Sequence, residues 1–403
     1  MKIAIFTDAF MPQISGVTMT LSKFIDYLDQ NGIQYRVFTL AYKNTQSSRR
    51  IKRFSSFKFI FYPDVRLPIP NYTYIKRVLD KFKPDIIHLV TEFNLGLCGL
   101  RYAKANNIPV VSFYETNIPQ YMKYYHLKPL ENTTWQYLKW FHTSCDKNYC
   151  PSITTQKMLT AKGLKNVQKW HRGVETDKFN PDKRDEALRK SVGADGKVLF
   201  LYAGRVSVEK DLYIIMEMAK RLNTRYRDKM QYVIVGGGPY LKKLKKEAPP
   251  NVIFTGFVDS EMLLKFYASA DVFIQPSPTE TLGFVVLEAL SSGLPVIGCF
   301  EGGIAENLVD NYNGIACREK NIDDFCNAAE RLINDEALRK TLSVNARNYV
   351  LNKDLNNAFN DLIESFNEVI TLKKEKAAVN GTTGKSEGLI KMPLKKFFKV
   401  FKT

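Results

Sequence analysis

Short apolar runs that alternate with helical patterns, and that restart near residue 195, constrain this chain more than any other feature. In the first series Ile3–Phe6, Tyr35–Leu40, Ile86–Val90 and Val110–Phe113 read as strands, with helical patterns over Thr18–Gln30 and Tyr72–Phe82. In the second, Val198–Tyr202, Tyr232–Val235, Val252–Phe254, Val272–Ile274 and Pro295–Ile297 are strand-like. Helical patterns fall between them at Asp211–Leu222, Ser260–Ala268 and Phe284–Leu290, and continue at Asp323–Ile333 and Leu355–Ile370. Strands that alternate with helices imply βαβ units and parallel sheets covered on both faces. Two such series predict an α/β chain of two doubly wound domains facing each other across a cleft. Ligands are then expected at the carboxyl ends of the strands and in that cleft. The expected bounds are 1–175, 176–370 and a tail at 371–403, with the turn-rich Arg172–Pro181 as hinge.

Cysteine usage and hydropathy narrow the class. The six Cys are scattered with no CxxC pair, which suits neither a disulfide framework nor a zinc site and favours a reducing cytoplasm. No stretch approaches the roughly 20 apolar residues that span a bilayer. The apolar run at Ile3–Phe6 is too short for a signal-peptide core and reads as a buried first strand.

Charge is uneven. The chain carries a net +18, of which Lys43–Lys83 supplies +9 and Thr371–Thr403 supplies +7. Concentrated cations point to an anionic surface, nucleic acid or an acidic lipid leaflet. In the tail, Leu394, Phe397, Phe398 and Phe401 recur at helical spacing, with Lys395, Lys396, Lys399 and Lys402 beside them. That is the pattern of a helix lying in a membrane interface, and Lys373–Gly388 reads as a flexible tether before it. Arg49–Tyr62 also interleaves cations with aromatics, but no nucleic-acid motif accompanies it, so an anionic membrane is preferred and no nucleic-acid partner is expected.

The most specific segment runs from Pro278 to Gly298, a loop after a strand that opens a helix near Gly283–Phe284. A helix N-terminus presents unpaired backbone N–H groups and so accommodates phosphate. Glu280 lies in the loop and Glu288 in the helix, and carboxylates accept hydrogen bonds from hydroxyls. Arg205 and Lys210 follow another strand, where cations can hold a diphosphate and stabilise its leaving charge. Gly16 stands between the first strand and first helix. Phosphate-binding helix, hydroxyl-binding acids and cations together suit a nucleotide-sugar.

These segments resemble the family-4 retaining glycosyltransferases, whose GT-B fold has two Rossmann-like domains. The resemblance covers roughly Met1–Ile370 and rests on FTDAFMPQISGV (6–17), RGVETDKF (172–179), GRVSVEKD (204–211), VGGGP (235–239) and the acids Glu280 and Glu288. Within the family the chain is similar to transferases that glycosylate membrane lipids, such as mannosyl-, glucosyl- or sulfoquinovosyl-diacylglycerol synthases. The resemblance implies that Arg205 and Lys210 bind the donor diphosphate and that Glu280 binds sugar hydroxyls. It implies backbone contacts to sugar and distal phosphate from Thr281, Leu282, Gly283 and Phe284, ribose contacts from Glu288, and approach of the Gly16 loop to the phosphates. It further implies retention of anomeric configuration, with UDP-glucose or GDP-mannose as donor, a lipid such as diacylglycerol or a glycolipid as acceptor, and no metal or other cofactor. Such an enzyme is expected to sit peripherally on the cytoplasmic membrane face.

One position departs from the family. Many relatives carry Tyr-His-Thr-Asn where this chain reads Tyr114-Glu115-Thr116-Asn117, placing Glu115 in the reaction centre where a histidine is usual. His126 is a further candidate near the acceptor and Asp8 one near acceptor or donor, each with a structural alternative. A soluble sugar or cell-wall polysaccharide acceptor, or a non-catalytic anion-binding scaffold, are the competing readings. The basic tail argues against the first, and intact Arg205, Lys210, Glu280 and Glu288 against the second.

Overall fold

Every strand expected in the two series forms. The computed structural model describes residues 1–13, 15–59, 62–120, 128–280 and 283–380, which divide into two compact units. The first holds Met1–Pro151, Gln156–Trp170 and Phe359 onward; the second holds Ser152–Thr155 and His171–Ala358.

In the first unit the strands are β1 (Lys2–Phe6), β2 (Gln34–Leu40), β3 (Ile51–Phe54), β4 (Ser56–Phe59), β5 (Tyr62–Pro68), β6 (Ile86–Leu89), β7 (Val110–Phe113), β8 (Lys147–Cys150) and β9 (Val167–Lys169). Seven form a parallel sheet ordered β3-β2-β1-β6-β7-β8-β9, and β4 and β5 form a separate antiparallel hairpin. Ile3, Ala4, Ile5 and Phe6 are all fully buried, as a strand sandwiched between helical layers requires. The helix Gly16–Gln30 begins with a reciprocal cap: Ser15 Oγ accepts from Thr18 N–H, and Thr18 Oγ1 accepts from Ser15 N–H.

The second unit contains β10 (Val198–Ala203), β11 (Met230–Val235), β12 (Val252–Gly256), β13 (Val272–Gln275), β14 (Val296–Cys299) and β15 (Gly314–Cys317). They form one parallel sheet ordered β12-β11-β10-β13-β14-β15, the 3-2-1-4-5-6 order of a doubly wound fold. In both sheets the order reverses beside the first strand, between β1 and β6 and between β10 and β13.

Three expectations need correction. The stretch 172–181 is packed within the second unit. Val174 N–H donates to Lys353 O, Gly173 leaves no room for a Cβ against the Asp354 backbone, and Arg347 donates to the carbonyls of Thr176 and Phe179. The expected boundary at 370 falls inside the helix Leu355–Asn380, whose residues from Phe359 belong to the first unit. There Phe359 and Phe366 pack against Phe24, and Tyr149 Oη donates to Ser365 Oγ at 2.8 Å. The tether expected from Lys373 is helical through Asn380, and Lys373 Nζ bonds Asp146 at 2.8 Å. Lys, Glu and Ala in that stretch are strong helix formers that extend a helix already anchored by its aromatic face. The remaining tether residues and the tail expected to contact membrane lie outside the described residues.

Candidate active site

The site is built where β10 and β13 part. Leaving β10, the chain turns at Gly204, passes Arg205 and enters a short 3-10 turn, Val208–Lys210. Leaving β13, it runs through Ser277 and Thr279 to Glu280. The buried carbonyl of Glu209 joins the two loops by accepting from Ser277 Oγ at 3.1 Å and from Thr279 Oγ1 at 3.2 Å. Ser207 Oγ donates to the Glu209 carboxylate at 2.6 Å, which holds that side chain inside its own turn.

Across this junction Lys210 Nζ donates to Glu280 Oε1 at 2.6 Å, and Gln275 Nε2 reaches the same oxygen at 3.3 Å. The side chains of Lys210 and Glu280 keep 12% and 19% exposure, enough for each to meet a ligand. The Glu280 carbonyl accepts from Gly303 N–H at 2.7 Å, so the carboxylate-bearing loop is held from behind. At Gly302, with φ near +57°, an added Cβ would stand 2.7 Å from that carbonyl.

Gly283 caps the helix Phe284–Ser291 with φ +70° and ψ +60°, a left-handed conformation costly for a residue with a Cβ. Thr281 and Leu282, expected to offer backbone groups, lie outside the described residues, as does His126. Phe284 receives the guanidinium of buried Arg172 over its ring at 5.1 Å. Glu288 is half-buried within the helix, and its Oε2 accepts from Tyr267 Oη at 3.0 Å. Burial and the adjoining Glu288 charge hold the Tyr267 phenol well above its ordinary range, so it remains a proton donor.

The VGGGP run forms a neighbouring wall. A Cβ on Gly236 would lie 2.0 Å from the Gly204 carbonyl, and one on Gly238 would lie 2.2 Å from that of Val206. The Arg205 loop thus packs backbone to backbone on this run, and Val206 N–H donates to Gly237 O at 2.9 Å.

The remaining candidates belong to the first unit. Gly16 is exposed as the first residue of the helix Gly16–Gln30. Glu115 follows β7 and is half-buried on a cavity of about 20 Å³, which Phe24, His88, Phe113 and Trp170 also line. Asp8 makes the capping contact: Oδ1 accepts from Leu95 N–H at 3.0 Å and Oδ2 from Thr91 Oγ1 at 2.5 Å. Sequence reading missed Glu209, Ser277, Thr279, Gln275 and Tyr267 as site residues. The hydroxyls of Ser277 and Thr279 flanking Pro278 were the available signal; Tyr267 lies 21 residues from Glu288 on another helix and gave none.

Two Rossmann-like domains of this kind, one with cations and carboxylates at its switch point, define a GT-B glycosyltransferase. Residues 14–178 match the family described as Glycosyltransferase Family 4, and residues 183–349 match Glycosyl transferases group 1. A GDP-mannose-dependent alpha-mannosyltransferase of Corynebacterium glutamicum is 30% identical over 385 residues, covering 93% of this chain and 90% of that protein. An alpha-monoglucosyldiacylglycerol synthase of Streptococcus pneumoniae is 32% identical over 312 residues, covering 74% of this chain and 70% of that protein. Among solved structures, a sucrose-phosphate synthase from Thermosynechococcus elongatus superposes with a TM-score of 0.77 at 17% identity, covering 92% of this chain and 99% of that one. The chain belongs to glycosyltransferase family 4, and it is a hexosyltransferase.

Proposed function

We propose that this enzyme moves a hexose, with retention, from UDP-glucose or GDP-mannose to a membrane lipid such as diacylglycerol or a glycolipid. The observation that carries the donor half is the Lys210–Glu280 contact at the β10/β13 switch point. It sets a phosphate-binding cation beside a hydroxyl-binding acid, the two chemistries a nucleotide-sugar needs at its diphosphate–sugar junction. Lipid-glycosylating relatives that match along most of the chain support the acceptor half.

In this reading Arg205 and Lys210 neutralise the diphosphate and stabilise the charge it gains on leaving. Backbone N–H groups opening the helix Phe284–Ser291 meet the distal phosphate, with Thr281 and Leu282 contributing from the preceding loop. Glu280 orients the sugar through its hydroxyls, and Glu288, fixed by Tyr267, accepts from the ribose. The bond from the anomeric carbon to the phosphate oxygen breaks, and the acceptor oxygen bonds to the same face. Its proton passes to the departing phosphate oxygen. Gly16 and Glu115 are assigned from the first unit to the phosphate and sugar sides of the reaction. The enzyme works peripherally on the cytoplasmic membrane face; among the described residues no helix is long and apolar enough to cross a membrane.

The test is incubation of the purified protein with anionic liposomes containing diacylglycerol and, separately, UDP-glucose, UDP-galactose or GDP-mannose. Mass spectrometry is expected to find a glycolipid from one donor, absent with Glu280→Ala. No glycolipid from any donor, with nucleotide binding intact, contradicts the proposed donor–acceptor pair.

A further inference from the structure

In the reading above Lys210 serves phosphate and Glu280 serves sugar, yet the two side chains are bonded to each other. Lys210 Nζ donates to Glu280 Oε1 at 2.6 Å, and both side chains are mostly withdrawn from solvent. Little water stands between the charges, so their attraction is stronger than on an open surface. A ligand that takes the ammonium or the carboxylate competes with this bond.

The carboxylate is held where it stands. Gln275, the buried last residue of β13, donates through Nε2 to the same Oε1 at 3.3 Å. Behind the acid, its own carbonyl accepts from Gly303 N–H at 2.7 Å. Ahead of it, Ser277 and Thr279 tie the loop to the Glu209 carbonyl. The cation's turn is closed as well, with Lys210 N–H donating to Ser207 O at 3.1 Å and Asp211 N–H to Val208 O at 3.2 Å. A negative charge is thus fixed beside the cation that a diphosphate needs.

That arrangement treats two ligands differently. A free nucleoside diphosphate brings only negative charge to this junction. Lys210 can turn to it, or bridge it to Glu280 with another of its N–H donors; either way the carboxylate opposes a second anion at short range. In a nucleotide-sugar the terminal phosphate is esterified and has one ionisable oxygen fewer. Its sugar also brings hydroxyls that donate to the carboxylate, which offsets the repulsion. We propose that Glu280 is a discriminating residue, whose fixed charge disfavours the free nucleoside diphosphate and favours the intact nucleotide-sugar. The site then gives up the diphosphate once the hexose has left, a role that rests on the nucleotide-sugar reading above and adds the ligand the site rejects.

The full chain is titrated calorimetrically, without acceptor, with UDP against UDP-glucose and with GDP against GDP-mannose. For the pair that binds the wild type, Glu280→Gln is expected to bind the diphosphate about tenfold more tightly. The nucleotide-sugar, which loses its hydroxyl bonds to a charged acid, should not gain. Glu280→Asp keeps the charge and shortens the reach, so the diphosphate should stay near wild-type affinity while the nucleotide-sugar weakens. A role confined to packing would weaken both ligands together and lower the melting temperature. Diphosphate binding that is unchanged or weaker in Glu280→Gln overturns the discrimination, as does a shift of both ligands by the same factor. In those cases wild-type binding of the nucleotide-sugar leaves the donor reading standing. If the wild type binds neither nucleotide, inorganic pyrophosphate is the probe. Tighter pyrophosphate binding by Glu280→Gln then upholds the repulsion while the nucleotide-sugar reading fails, and no tightening removes both.

Discussion

Where β1 and β6 part in the first sheet, Asp8 fills the junction, accepting from Thr91 at 2.5 Å and from the N–H of Leu95 at 3.0 Å. Where β10 and β13 part in the second, Lys210 and Glu280 meet at 2.6 Å. The strand orders are alike, yet Asp8 is 7% exposed and bound within the protein, while Lys210 and Glu280 each keep a solvent-facing portion. A switch point is a place where strands diverge and space opens; the side chains that line it decide whether the space is sealed or offered to a ligand. The first junction is closed by the protein's own hydrogen bonds, and the second is assigned to chemistry.

The largest expected effect sharpens that contrast. Lys210→Ala should lower kcat about 10²–10³-fold with little change in melting temperature, because in the proposed role its charge stabilises the leaving phosphate. Steady-state kinetics beside thermal unfolding checks both halves.

Asp8 should behave in the opposite way. Burial pushes its carboxyl up to about 6 from the usual 3.8, with hydrogen bonds from Thr91 and Leu95 opposing. The native state therefore holds this proton more tightly than the unfolded chain. Its stabilising contribution is full below the unfolded pKa near 3.8 and is lost as pH rises through about 6. Urea unfolding between those limits should show wild type losing up to about 3 kcal/mol relative to Asp8→Asn. A constant difference across the window would break the comparison.

Gly283→Ala tests the backbone of the second junction. A Cβ at φ +70° should cost about 1–2 kcal/mol of stability, read by denaturant midpoint, and should weaken donor binding as the helix start shifts. The smallest effect is expected from Tyr267→Phe, which removes one hydrogen bond to Glu288. Donor KM should rise about fivefold, from roughly 1 kcal/mol, with kcat nearly unchanged.

Much of this was legible in the sequence because parallel strands buried on both faces are continuous apolar runs. Strands β8, β9 and β15 escaped for the same reason inverted. Lys147–Cys150 and Val167–Lys169 carry polar residues, and Gly314–Cys317 opens with glycine next to Asn313. The hairpin was hidden inside a run read for its charge. Cations following β10 and acids flanking the helix start were visible as motifs because each is local to one loop. Their meeting was not, since Lys210 and Glu280 are 70 residues apart and only the sheet order brings β10 beside β13. The helix through Asn380 was misread from composition, because its anchoring contacts to Phe24 and Asp146 lie far back in the chain.

The central claim is that the β10/β13 junction binds the donor nucleotide, and isothermal titration of UDP and GDP tests it most directly. Binding of one nucleotide by the wild type, weakened at least tenfold in both Arg205→Ala and Lys210→Ala, is the predicted result. Unchanged nucleotide affinity in both folded variants would contradict it.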